Sequence, residues 1–150
     1  MADFTERFTE TAALLYNLAP ISVTNGAEVF TSYVSLANYH RAVIVIHTGV
    51  MASGATLDAV VHQATDTSGT SAKHLTASKA ITQLTQAGSD SNKDVAIEVR
   101  TEELDVANGF DCIALGYTVG TAATLLSIEI YGLVPRYAAV STTAWDEIVD

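Results

Sequence analysis

Arg41-Ala42-Val43-Ile44-Val45-Ile46-His47-Thr48-Gly49-Val50 is the stretch that decides the fold. Ala42 to Ile46 is apolar at every position and mostly β-branched, which a pleated, packed surface accommodates better than a helix does. With no polar side for solvent, the run predicts a central strand lying between two packed layers. Gly49 and Gly54 bracket the loop that leaves it. Asp94 to Arg100 supplies the complement, with Val95, Ile97 and Val99 on one side and Ala96, Glu98 and Arg100 on the other. That alternation belongs to a half-buried strand beside solvent.

Working outward, other segments follow the same logic. Glu28 to Leu36 alternates Phe30, Val34 and Leu36 against Thr31, Tyr33 and Ser35 and reads as one half-buried strand. Thr56 to Thr65 is another, followed by the turn-forming run Asp66-Thr67-Ser68-Gly69-Thr70-Ser71. Residues 80–86 read as a strand ahead of a turn at Gly88 to Asn92. Thr101-Glu102-Glu103-Leu104-Asp105 predicts one helical turn, capped by Thr101 and ending near Asn108-Gly109. Phe110 to Thr118 and Ala123 to Tyr131 look like a hairpin around Val119-Gly120-Thr121, and Leu133 to Val140 reads as a last edge strand interrupted by Pro135. Asp3 to Pro20 supports two readings, a helix with Phe4, Phe8, Ala12 and Leu15 on one stripe or an extended arm. Pro20 should stop it, with Ile21 to Thr24 a short strand entering the Asn25-Gly26 turn. The predicted fold class is all-β: a two-sheet β-sandwich of jelly-roll type, with an N-terminal arm over 1–24, a single domain over 25–150 and one or two short helical turns.

Composition agrees. The 150 residues are 49% hydrophobic and 16% charged, and Thr and Ser make up about a fifth, interleaved with apolar residues at strand spacing. A chain of this length buries roughly 70% of its unfolded surface, enough for a core without staples. Seven basic against seventeen acidic side chains give a net charge of −10, which argues against nucleic acid and anionic membranes as partners. Apolar runs are too short for a membrane-spanning helix, and Met1 to Glu6 lacks the basic and apolar regions of a secretory signal. Cys112, the single cysteine, stands among Phe110, Asp111, Ile113 and Ala114 and reads as a small buried hydrophobe.

Searching for chemistry returns little. There is no phosphate-cradling Gly-rich loop and no Gly-x-Ser-x-Gly elbow. Asp90-Ser91-Asn92-Lys93-Asp94 begins like a calcium loop, but Val95 stands where the turn needs glycine and no Glu occupies the twelfth position. His40, His47, His62 and His74 lack i, i+4 pairing. His47 and His62 fall on predicted neighbouring strands, where they could face each other, yet ordinary structural histidines explain all four. Glu102 and Glu103, adjacent on a helix, point about 100° apart and favour a helix N-terminus over a catalytic pair. No enzyme, no cofactor and no metal is expected.

Aromatic residues remain. Phe4, Phe8 and Tyr16 lie near the start, and Tyr131, Tyr137 and Trp145 near the end. Their polarity pattern predicts that the terminal segments reach a neighbouring protein, with Phe4, Phe8, Leu14, Leu15, Tyr16, Arg136, Tyr137 and Trp145 as partner-binding residues.

The ordered set Tyr39-His40-Arg41-Ala42-Val43-Ile44-Val45-Ile46, Ala64-Thr65-Asp66-Thr67-Ser68-Gly69-Thr70, Ala80-Ile81-Thr82-Gln83-Leu84-Thr85, Glu102-Glu103-Leu104-Asp105 and Pro135-Arg136-Tyr137 resembles a family of head decoration (capsid cement) proteins of tailed bacteriophages. It spans roughly residues 33 to 150 and departs from the family pattern at Ala138-Ala139, where Ala-Pro tends to follow. The resemblance implies a jelly-roll β-sandwich without catalysis that binds the outer capsid lattice as a homo-oligomer, with the major capsid protein as partner. Dimers and trimers both suit two-fold or three-fold lattice positions. An acidic chain would be repelled by packaged DNA, which favours the outer face of the shell. The alternatives are another phage structural protein of the tail or head-completion kind, and a carbohydrate-binding β-sandwich with Tyr33, Tyr117, Tyr131 or Trp145 stacking on sugars.

Overall fold

The computed structural model of the chain describes residues 6–75, 78–137 and 144–149. A four-residue helix, α1 (Phe8–Thr11), leads into ten strands: β1 (Ala12–Val23), β2 (Val29–Phe30), β3 (Val34–Ser35), β4 (Tyr39–Met51), β5 (Thr56–Ala64), β6 (Lys73–His74), β7 (Leu84–Thr85), β8 (Asp94–Arg100), β9 (Cys112–Gly120) and β10 (Thr124–Pro135). Two short 3₁₀ turns, Thr101–Glu103 and Val106–Asn108, lie between β8 and β9.

The strands form two antiparallel sheets. The first runs β1-β10-β4-β8 and the second β2-β9-β5-β6, with β3 also on β9 and β7 also on β5. With β2/β3 and β6/β7 each taken as one interrupted strand, the described residues form eight strands whose pairings nest: first with eighth, second with seventh, third with sixth and fourth with fifth. This is jelly-roll wiring, so the predicted all-β sandwich is present down to its topology.

The inner faces meet in one core. Ala42, Ile44, Ile46, Ile97, Val99, Leu126, Ile128 and Ile130 of the first sheet pack toward Leu57, Val61, Ile113, Leu115 and Val119 of the second, all buried. Burying each such Val, Leu or Ile side chain contributes roughly 1.5–3 kcal/mol, the term that offsets ordering the backbone.

Several expectations are corrected. Pro20 does not end a segment: it lies inside β1, on the outer edge of the first sheet, where a missing N–H costs no ladder bond. Of the predicted arm, 12–23 is thus sheet. Two register shifts, between Leu14 and Tyr16 and between Leu18 and Ile21, take up one extra residue each. The apolar run of β4 is covered fully on one side only, since Val43 and Val45 are half-buried while Ala42, Ile44 and Ile46 are enclosed. Residues 110–131 are no hairpin, because β9 and β10 belong to different sheets and the turn between them carries the chain across, with Thr121 at φ +67°. Of 80–86 only Leu84–Thr85 is strand. The 3₁₀ turn at 101–103 is capped not by Thr101 but by the Glu103 carboxylate, which accepts the Arg100 N–H at 2.7 Å. The predicted last strand is the end of β10, and 138–140 lie outside the described residues.

The expected strand over 28–36 is interrupted by a bulge. Phe30 pairs with Gly116 and Val34 with Ile113, so one extra residue sits on this side and the ladder opens beside Leu115. Thr31 fills the gap: its N–H donates to the Leu115 carbonyl at 3.0 Å and its hydroxyl accepts the Leu115 N–H at 3.0 Å. Thr31 is therefore buried and Phe30 is 45% exposed, the reverse of simple alternation. Replacing Thr31 by isosteric Val removes the acceptor from a buried N–H and should destabilise the fold by about 1–3 kcal/mol, read as a lower urea midpoint at unchanged slope. Thr31→Ser keeps the oxygen and should recover most of the loss.

Candidate functional site

The outer face of the first sheet gathers residues from both ends of the chain. Tyr131 on β10 stands opposite Leu14 on β1 and Val43 on β4. Phe8, delivered by α1, meets the Tyr131 ring edge-on at 5.8 Å between centroids. Trp145 completes the group at 6.2 Å from Tyr131 and 6.4 Å from Phe8. The two edge-on contacts of Phe8 align the positive ring rim with a negative ring face, while Trp145 lies tilted at 33° to Tyr131. The Tyr131 hydroxyl donates to Glu129 at 2.6 Å, and burial, with that carboxylate, pushes the phenol up to about 12. Trp145 Nε1 is buried without a hydrogen-bond partner among the described residues.

Of the predicted contact residues, the structure brings together Phe8, Leu14 and Trp145 on this face. Phe8 is 59% exposed and Tyr137 is 72% exposed. Leu15 and Tyr16 instead pack inward against the core, because the bulge between Leu14 and Tyr16 reverses which side faces in. Arg136 ties down the chain end: its backbone N–H donates to Asn38 O, its Nε to Tyr39 O and its Nη2 to Thr101 Oγ1. Phe4 lies outside the described residues. The sequence names Tyr131 as a terminal aromatic and a sugar-stacking candidate but not as a partner-binding residue, and its position beneath Phe8 and Trp145 follows from strand pairing that no local pattern announces.

Beside Arg136 the positive charge of this acidic chain concentrates. Arg41 and Arg100 are direct cross-strand partners, and with His40, Thr101, Glu102 and Val134 they line an open groove of about 350 Å³. Like charges opposite each other repel, and Glu102, 3.3 Å from the Arg100 guanidinium, relieves part of that.

The histidines sort differently from the sequence expectation. His47 and His62 lie in different sheets, so they do not face each other. His47 bonds to Asp94 at 2.7 Å in the open. His62 is buried on the outer face of the second sheet, bonded to Glu28 at 3.2 Å, with the Phe30 ring edge-on at 4.8 Å and the His74 ring at 4.4 Å. Burial lowers the His62 pKa from the ordinary histidine value, against the pull of Glu28. A signal for the His62 and His74 pair did exist: both stand six positions from Ser68, the middle of the turn-rich run.

Among the described residues no hydroxyl or thiol is hydrogen-bonded to a histidine ring, and no helix is long and apolar enough to cross a membrane. No protein-family model and no curated protein matches the chain. Among solved structures, a chain described as Desmodium yellow mottle tymovirus aligns with a TM-score of 0.37 and 17% identity, covering 87% of this chain and 90% of that one.

Cys112 is buried, and burial together with the neighbouring Asp111 carboxylate, 3.1 Å from the sulfur, pushes its thiol up to about 12. Since the thiolate is the reactive form, the native protein should resist alkylation at pH 8 and react fully once unfolded in urea. A thiol titration with and without denaturant checks this.

Proposed function

We propose that this chain is a structural virion protein: a decoration or cement protein that binds the outer face of a tailed-phage head, contacts the major capsid protein and bridges its subunits. The observation that carries the reading is the partly exposed aromatic patch of Phe8, Tyr131 and Trp145, built where the two chain ends meet on one sheet face. Clustered, rigid aromatics with few rotatable bonds are the side chains that dominate protein interfaces. The jelly-roll wiring is compatible with the resemblance of the motif set over 33–150, and the charge of −10 favours the side of a shell away from packaged DNA.

In this reading the protein works without catalysis. Each copy binds only the assembled lattice, so it shifts the equilibrium toward the intact shell by mass action, and a homo-oligomer engaging several subunits multiplies the effect. A tail or head-completion role would use the same surface at a different copy number. The sugar-binding reading is weakened, since Tyr117 faces the core and Tyr33 lies against Gly69 and stacks with Phe30.

Point variants test the surface better than truncation, because removing residues up to 18 would also remove half of β1. Phe8→Ala and Tyr137→Ala, both at exposed positions, should each weaken co-sedimentation with heads lacking this protein by roughly tenfold, consistent with more than 1 kcal/mol per anchor. Binding unchanged in Phe8→Ala would remove the patch from the interface, and binding unchanged in Tyr137→Ala would remove the neighbouring chain end. Quantitative mass spectrometry of purified particles should return near-equal copies of this chain and the major capsid protein; a handful of copies would select a tail or vertex position instead.

A further inference from the structure

We propose that Glu28, His62 and His74 form a binding site for one divalent transition-metal ion, with Zn²⁺ the best chemical match. The inference does not depend on the virion role. One ligand atom from each residue lies within 4.8 Å of the other two. Imidazole and carboxylate ligands bind zinc at about 2.0–2.2 Å, which places ligand atoms of a tetrahedral site roughly 3.3 Å apart. His62 Nε2 and Glu28 Oε1 already stand 3.2 Å apart, and the exposed His74 brings a third ligand atom within 4.8 Å of both. Two imidazoles and one carboxylate are a borderline-soft set, suited to Zn²⁺ and poorly suited to Ca²⁺ or Mg²⁺, which take oxygen.

Three features of the fold place these groups. His62 and His74 are direct partners across the β5–β6 ladder, so register fixes their proximity. The backbone at His74 is held by Gln63, whose Nε2 donates to the His74 carbonyl at 3.3 Å, and by the Leu75 N–H, which donates to Val61 O. Glu28 reaches in from the end of β2 across Gly116, where an added Cβ would run into its carboxylate and crowd the Phe30 ring. Opposite His62 the floor is Ala114, so the outer face of β9 is small beneath the cluster. Three protein ligands leave a fourth coordination position for water, the arrangement of an open zinc site.

Calorimetric titration of Zn²⁺ into the chelator-stripped full chain tests the proposal. One Zn²⁺ should bind per chain, with a rise in melting temperature that grows with metal concentration. Co²⁺ in its place should give the strong visible absorption of a four-coordinate site. Losing even an outer partner of a metal ligand typically costs 10–100-fold, so His74→Ala and Glu28→Gln should each weaken Zn²⁺ binding by roughly 100-fold or more. Gly116→Ala, which changes no ligand but displaces Glu28, should weaken it too. His47→Ala removes the other histidine–carboxylate pair and should leave the affinity unchanged. No Zn²⁺ uptake by the native chain, or uptake that His74→Ala and Glu28→Gln leave intact while His47→Ala abolishes it, would overturn the assignment. Both ligand variants sit at exposed positions, and matching far-ultraviolet circular dichroism of the metal-free forms separates lost binding from lost folding.

Discussion

Pairing between the first long strand and the last is the constraint on which the rest of the structure depends. Ala12 to Val23 lies along Thr124 to Leu133, so more than a hundred residues separate partners in one ladder. Closing so long a loop costs entropy before any contact repays it, and every other pairing is nested inside it. The inner faces of both sheets supply the repayment, because Ile128 and Ile130 on β10 complete the core that Ile44 and Ile46 on β4 begin. Local propensity contributes little here: β2, β3, β6 and β7 are two residues each and exist only as partners of longer strands.

This nesting explains what could be read from sequence. Asp94 to Arg100 was legible to the residue, since alternation records which side of an edge strand meets the core. The β4 run revealed a central strand for the opposite reason, having no polar side at all, and the two-sheet class followed from the number and length of such segments. What alternation does not record is which strand lies beside which. Phe110 to Tyr131 looked like a hairpin because two apolar segments flank a short glycine turn, yet the turn changes sheets. Thr31 and Tyr16 point opposite to expectation because a single extra residue inverts the parity of everything beyond it. The candidate sites suffered most: Phe8 and Trp145 were named from composition, but their meeting over Tyr131, and the approach of Glu28 to His62, are products of pairing at a distance.

Outer faces are built by a different rule from inner ones. Where the core takes Ile, Leu and Val, the outer side of β9 carries Cys112, Ala114 and Gly116, and Glu28, Phe30 and His62 cover it. In the first sheet Gly132 on β10 plays the matching part on the core side, with the Tyr39 ring lying on it. Small residues at these points let a ring or carboxylate from outside the strand settle against the backbone. The Glu28, His62 and His74 cluster therefore sits where the outer face of the second sheet is thinnest.

The irregularities of β1 also govern how copies of this chain can meet. An outermost strand ordinarily offers unpaired amides and carbonyls as a template for another chain, the route to open-ended fibres. Here that border is broken twice by surplus residues, and Pro20 withholds a donor within it, so continuous ladder growth from one molecule to the next is interrupted. The β1 border is thereby a poor template for adding a strand from another chain.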